Sequence, residues 1–205
     1  MKRIVFAAVM IVGLTATGFS QKKGDIEAGI NIGYNVSSVS DEYGQSDSGN
    51  GFNFGGSLDY YFSDAWSIKA KLIYDQKGWN NDYIEDVNGD IYPTNVNVDY
   101  LTVPLMANWH FGAKRNWYLN FGPYIGFLLD AKETRFDTDV TDAFNSTDFG
   151  LAAGIGVKLP LTNKLKLFFE LDGQGGFTDI FKESDYSAVT NSRTAFNVGL
   201  NFLLK

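Results

Sequence analysis

Asp25-Ile26-Glu27-Ala28-Gly29-Ile30-Asn31-Ile32-Gly33-Tyr34-Asn35-Val36 decides the fold class. Every even position from Ile26 to Val36 is apolar, and every odd one is polar or glycine. A period of two belongs to a strand, whose side chains alternate between two faces.

The same alternation recurs along the chain. Gly51–Phe62 sets Phe52, Phe54, Leu58, Tyr60 and Phe62 against Asn53, Ser57 and Asp59. Trp66–Asp75 sets Trp66, Ile68, Ala70, Leu72 and Tyr74 against Ser67, Lys69, Lys71 and Asp75. Four further alternating runs follow, Tyr118–Leu129, Asp148–Leu159, Leu165–Gly175 and Arg193–Lys205. An eighth, Val96–Phe111, changes parity. Its apolar residues are even at Val98 and Tyr100 and odd from Leu101 to Phe111, which predicts a bulge near Tyr100–Leu101. Pro104 must lie where a missing N–H is tolerated. No stretch after residue 21 repeats apolar residues at helical spacing.

The connections alternate too. Ser63–Ala65, Gly112–Trp117 and Pro160–Lys164 are short, whereas Ser37–Asn50, Lys77–Asn95, Asp130–Thr147 and Ile180–Ser192 are long and polar. Ten residues of strand span about 33 Å, or roughly 23 Å when tilted by about 45°. That matches the apolar band of a transmembrane barrel, in which short turns face one side and long loops the other. The expectation is an all-β, eight-stranded antiparallel up-and-down transmembrane β-barrel.

A soluble, lipocalin-like barrel with an apolar ligand cavity shares the periodicity, and the opposite face separates the two. It is rich in Gly and Asn and carries Asp59, Lys69, Lys71, Asp75, Lys158, Lys166, Glu170 and Asp172. Small residues and mutually pairing charges suit a narrow lumen, not a solvated exterior. Aromatics gather near the short turns (Tyr60, Phe62, Trp66, Trp109, Phe111, Trp117, Tyr118) and near the long loops (Tyr34, Tyr74, Tyr100), as interfacial girdles do. Asp59, Lys69, Lys71, Asp75, Lys166 and Glu170 are expected to form a charge network in the lumen, since buried charges must pair. Such a network is either a structural plug or a narrow ion path.

The N-terminus fits export. Lys2 and Arg3 precede the apolar run Ile4–Leu14 and the small-residue exit Thr15–Ser20. Residues 1–20 thus read as a cleaved signal peptide, the run being too short for a spanning helix. Residues 21–205 form the barrel domain, with a net charge of −9. An acidic chain without a basic tract is a poor nucleic-acid ligand.

Chemical motifs are sparse. The chain has no Cys and one His, His110, expected as a surface residue at the periplasmic end, so zinc or transition-metal sites are not expected. No Ser-His pairing resembling that of outer-membrane lipid hydrolases is apparent, and no cofactor is expected. Gly154-x-Gly156 and Gly173–Gly176 lack the following helix of a phosphate loop. Asp86-Val87-Asn88-Gly89-Asp90 resembles part of a calcium loop but lacks its closing Glu, so a turn is expected. Asp41, Glu42, Asp82, Glu85, Asp137, Asp139 and Asp142 make the loops acidic, a solvated surface with some capacity to bridge lipopolysaccharide through divalent cations.

Asn197-x-Gly199-x-x-Phe202-x-Leu204 resembles the C-terminal signal read by the outer-membrane assembly machinery. Four segments resemble the PorT-type outer-membrane β-barrel proteins: Tyr100–Leu105, Gly122–Gly126, Asp148–Gly154 and Gly176–Ile180. The resemblance implies a small barrel like those of OmpX and OmpA, sited in the bacterial outer membrane. It implies no specific task. The function expected is non-enzymatic: a structural or adhesive barrel contacting membrane lipid and lipopolysaccharide, and a protein partner through its long loops. A narrow channel or an accessory part of a secretion system is the alternative, and a soluble ligand binder a lesser one.

Overall fold

The computed structural model describes residues 21–42, 44–86, 88–184 and 187–205; the expected signal peptide lies outside them. Eight strands close a ring: β1 (Ile26–Ser40), β2 (Asp47–Tyr61), β3 (Trp66–Glu85), β4 (Ile91–Phe111), β5 (Trp117–Glu133), β6 (Thr147–Pro160), β7 (Leu165–Gly176) and β8 (Thr190–Leu203). Each pairs antiparallel with its sequence neighbours, and β1 pairs with β8 to close the barrel. Closure leaves no sheet edge within the wall, as a membrane requires of strands.

Outward residues in the lower two thirds of the wall are exposed and apolar, Ile30 by 58%, Phe52 by 65% and Leu151 by 53%. Inward residues are mostly polar, small or charged, with Ile73, Met106 and Phe168 as buried apolar exceptions. The lumen is narrow enough to demand glycine. A Cβ on Gly156 would collide with the Tyr118 ring, and one on Gly33 with the side chains of Asn197 and Asn53.

The strands depart from expectation at the outer end. Lys77–Asn95 is not a loop. β3 runs on to Glu85 and β4 starts at Ile91, so the two continue as a hairpin with its turn at 86–90. β2 pairs with β3 only as far as Asn80, and β5 with β4 only as far as Val96, so the hairpin projects beyond both as a two-stranded ribbon, with Tyr92 packed against Phe136 and Arg135 of the segment after β5.

The expected bulge exists, but on the other strand. Asp99 pairs with Asp130 and Tyr100 with Leu128, so the additional residue, Leu129, belongs to β5. The bulge turns β5 from even to odd residues facing inward, whereas β4 buries even residues from Thr94 to His110 without interruption. The apolar set of β4 changes parity for another reason. At Val96, Val98 and Tyr100 the interior itself becomes apolar, and the outward neighbours Asn95, Asn97 and Asp99 are polar. The strand has left the bilayer and entered water. Pro104 faces inward where the β3–β4 ladder lapses between Ala70–Leu105 and Ile73–Thr102, so its missing donor breaks no pairing.

The inverted end is sealed by a core. Val39, Trp79, Val96, Val98, Tyr100, Ala131, Phe144 and Ile180 bury one another across the barrel mouth. Phe144 and Ile180 come from the β5–β6 and β7–β8 loops, fastened by the Phe144–Phe181 bridge and by Asn145, whose amide donates to the carbonyls of Asp179 and Phe181. Trp79 lies 6.2 Å from Phe144 and 6.1 Å from Phe181, ring centre to ring centre.

Candidate functional site: a charge ladder in the lumen

Beneath that core lie six carboxylates (Glu27, Asp59, Asp75, Asp148, Glu170, Asp172) and six cations (Lys69, Lys71, Lys77, Lys158, Lys166, Arg193), all buried. Their inward placement follows from strand parity alone. Odd residues face inward on β1, β2, β3 and β8, even ones on β6 and β7.

Ten of the twelve form one ladder of alternating sign. At the short-turn end Lys166 pairs with Glu27, and Lys158 donates to Glu27 at 2.6 Å, to Asp59 at 3.2 Å and to the Tyr61 hydroxyl at 2.8 Å. Lys69 follows, 3.9 Å from Asp59 and 3.8 Å from Glu170, with its ammonium 4.5 Å from the centre of the Tyr118 ring. Lys71 pairs with Glu170 and lies 3.6 Å from Asp172. Arg193 ends the ladder, 3.0 Å from Asp172 and 3.2 Å from Asp75. Among the described residues neither the Arg193 Nε nor Asp172 Oδ1 has a hydrogen-bond partner, so these last two contacts are Coulombic. Asn35, Asn108, Asn120 and Asn197 donate to Asp75, Asp59, Glu170 and Asp172, though Asp59 Oδ1, like Asp172 Oδ1, has no hydrogen-bond partner among the described residues.

The remaining pair stands just below the core. Lys77 donates to Asp148 at 2.9 Å between the rings of Tyr100 and Tyr124, and Asp148 also accepts from Asn191. An ammonium in low dielectric needs an anion and gains further from aromatic faces.

The six charges singled out in the sequence therefore stand in one structure, though not as direct neighbours throughout. Lys166 reaches Asp59 only through Glu27 and Lys158, and Asp75 reaches Lys71 only through Arg193 and Asp172. Parity marks those linking residues as inward, as it does Lys77 and Asp148.

Three aromatic or imidazole residues are placed differently from expectation. His110 is 1% exposed inside the lumen, not at the surface, because it shares parity with Asn108 on β4. Its Nε2 lies 3.1 Å from the Ser67 hydroxyl, a Ser-His contact that sequence separation conceals; Ser67 is 0% exposed. Tyr118 and Tyr100, counted with the girdles, are also inside, whereas Trp66, Trp109 and Trp117 face outward. In the Asp86–Asp90 segment the Asp86 carboxylate accepts the backbone N–H of Asn88 and of Asp90, the pattern of a closed turn; Val87 lies outside the described residues.

The C-terminal motif divides by face. Asn197 points inward to Asp172, and Gly199 lies where a Cβ would meet the Phe168 ring. Phe202 is exposed on the outer wall, and Leu204 just past the end of the strand.

Charge is partitioned along the barrel axis. The twelve lumen charges cancel. The short-turn end carries Lys22, Lys23, Lys114, Arg115, Lys164 and Lys205 against Asp25 and Asp64. In the outer segments 41–47, 82–99, 130–142 and 179–183, fifteen acidic residues face three basic ones, Lys132, Arg135 and Lys182.

An antiparallel ring with an apolar belt, a polar lumen and long acidic loops is the architecture of a small outer-membrane barrel. The family model described as outer membrane protein beta-barrel domain matches residues 19–182, and the chain belongs to that family, in the bacterial outer membrane. No curated protein matches it in sequence. Among solved structures it is similar to OprG of Pseudomonas aeruginosa (TM-score 0.55, 11% identity, 90% of this chain and 98% of that one). It is also similar to AlkL in lipid bilayers (TM-score 0.54, 15% identity, 93% and 94%) and to Neisserial surface protein A (TM-score 0.51, 14% identity, 85% and 96%). At these identities the likeness is one of fold.

Proposed function

We propose that the protein is a closed, non-enzymatic barrel whose task is performed by its outer end, as a structural or adhesive element that holds a protein partner. The supporting observation is the charge ladder lying beneath the apolar core: twelve buried charges that cancel in mutual contact, under an apolar layer, leave no unbalanced charge to draw an ion through the lumen. The projecting β3–β4 hairpin then becomes the place to look for a partner. Its tip exposes Tyr83 by 70% and Ile91 by 68%, flanked by Asp82, Glu85, Asp86 and Asp90 and by no basic residue between Lys77 and Lys114. A partner with a basic, partly apolar surface fits it.

Three finer readings belong with this proposal. Residues 1–20 direct export. The four segments from Tyr100 to Ile180 support membership of the PorT-type barrels. Asn197, Gly199, Phe202 and Leu204 serve assembly, supported by the position of Phe202 on the lipid-facing side of the strand that closes the ring, with Leu204 exposed just past its end.

Two measurements test the main reading. In planar bilayers the full chain is expected to pass no resolvable current; steps that vanish in Lys69→Met would transfer the function to a lumen channel. On cells displaying the barrel, replacing residues 82–94 by a two-residue turn should abolish adhesion to basic protein surfaces while the heat-dependent gel shift of a folded barrel persists. Undiminished adhesion would remove the hairpin from the mechanism.

A further inference from the structure

A cleft of about 500 Å³ opens at the outer rim, between the β1–β2 connection and the top of β3. It is separate from the lumen ladder and shares only Asp82, at the base of the hairpin, with the proposed partner surface. Its apolar lining is the outer side of the sealing core, with Trp79, Val39, Phe181 and Val189. Its polar lining has an unusual chemical bias. The amides of Gln45, Asn80 and Asn81 each use their NH₂ group within the protein, donating to Ser38, to the Ser48 carbonyl and to Asp47. Among the described residues the side-chain oxygens of these three amides accept no hydrogen bond, which leaves them as acceptors. Two carboxylates, Asp41 and Asp82, complete the rim, and no Lys or Arg lines it among the described residues.

The arrangement is built into the backbone. A register shift in the β2–β3–β4 sheet falls between Trp79 and Asp82, and Asn81 takes a φ of 57°. That left-handed conformation suits Asn better than most residues, and the Asn95 side chain holds it by accepting the Asn81 N–H. Trp79 donates its indole N–H to Asp82 at 2.8 Å, joining the apolar lining to the acidic rim.

Acceptors without cationic donors, beside aromatic rings, select one class of ligand. We propose that the cleft binds a small organic cation: an ammonium or guanidinium group, which donates hydrogen bonds and accepts none, carried on an aryl or alkyl body. The head would meet Asp41, Asp82 and the amide oxygens, and the body Phe181 and Val189, with the 4% exposed Trp79 as the floor behind them. The acidic loops around the cleft raise the local concentration of such a ligand and exclude anions. This assignment stands whether or not the hairpin tip holds a partner. The same chemistry is available from a free amine or from a lysine side chain on a polypeptide.

The test is calorimetric titration of the full chain, folded in nanodiscs, with three probes of one shape: 2-phenylethylammonium, 2-phenylethanol and 3-phenylpropionate. The ammonium should bind saturably, the alcohol about tenfold more weakly or less, and the carboxylate not at all, with salt weakening the first. Asp41→Asn combined with Asp82→Asn should cost the ammonium about tenfold in affinity, while partitioning into the bilayer, which is unsaturable, stays unchanged. Asn80→Asp adds a negative charge and should tighten binding, which separates loss of charge from loss of shape. The gel shift confirms folding of each variant. A lysyl-phenylalanine amide that binds where the free amine does not would identify the polypeptide as the source. Equal binding of the three probes, or no saturable binding of either the amine or the lysyl amide, would overturn the assignment.

Discussion

Along β4 the same strand obeys two opposite rules. From Thr102 down to His110 its inward residues are polar apart from Pro104 and Met106, and its outward ones, such as Leu105 and Trp109, are apolar and exposed. From Tyr100 up to Val96 the inward residues are apolar and the outward ones, Asn97 and Asp99, polar. The backbone alternates without a fault across the boundary, so the difference lies in the medium. In the belt the outside is lipid, and polar groups must turn inward and satisfy one another. Above it the outside is water, and the apolar groups turn inward as in a soluble domain. One barrel thus holds two interiors stabilised by different physics: alternating charges below, dispersion and apolar burial above.

The strongest way to break the comparison is to damage each interior on its own terms. Trp79→Ala should destabilise by about 3–5 kcal/mol through a cavity in the upper core. Glu170→Ala should destabilise by about 3–5 kcal/mol for a different reason, since it leaves Lys69 and Lys71 without their shared anion. Denaturant unfolding in vesicles reads both. The repairs differ as well. Apolar residues of matching size at Glu170 and Lys71 together should recover much of the lower loss, because a buried pair taken out whole often costs little. Recovery by a second polar change near Trp79 would contradict the division.

The boundary itself gives the next effect. Ile30→Arg and Leu151→Arg place a cation on lipid-facing wall and should each destabilise by about 2–4 kcal/mol. Asn97→Arg, also outward but above the bilayer, should stay within about 0.5 kcal/mol. Extending the series down the outer face of β4 through Asp99, Leu101, Val103 and Leu105 locates the water–lipid interface as the position where the cost begins. A cost at Asn97 equal to that at Ile30 would put the inverted end inside the membrane.

This division also accounts for what the sequence disclosed. Eight alternating runs were legible because a wall with one medium on each side must alternate: Ile26–Val36 reads correctly in every residue, and Trp66–Asp75 in every residue but Ile73, which is apolar and faces inward. Where the outer medium changes, the same code inverts. The parity change at Tyr100–Leu101 looks like a bulge in β4, because hydropathy records which residues are apolar and not which side is wet. The real bulge, at Leu129 on β5, was masked by the apolar pair Leu128-Leu129. The hairpin from Lys77 to Asn95 lacks alternation for the same reason, with water on both faces of its tip. Within the site, eight charges were evident on the inward face, six of them assigned to the network without Lys158 and Asp172, and parity would have added Glu27 and Arg193. Which charge meets which was not legible, because contacts such as Lys158–Glu27 and Lys71–Glu170 cross the lumen between strands far apart in sequence.

The smallest expected effect sharpens the comparison at its outermost point, where the hairpin has neither interior. The turn at 86–90 is held by Asp86, whose carboxylate accepts the backbone N–H groups of Asp90 and Asn88; these hydrogen bonds keep its pKa below the ordinary carboxylate value. A carboxyl whose folded pKa is depressed contributes order above its unfolded pKa of about 3.9 and loses it as pH falls through the folded value. Amide resonances of residues 88–90 should therefore be invariant near neutrality and move only in acid. Asp86→Ala should release the turn at every pH, seen as faster amide exchange and easier proteolytic nicking there, with the unfolding transition of the barrel unchanged. A shift of that transition in Asp86→Ala would mean that the tip is coupled to the sealing core, and that the wall, core and hairpin form one cooperative unit instead of successive layers of decreasing stability.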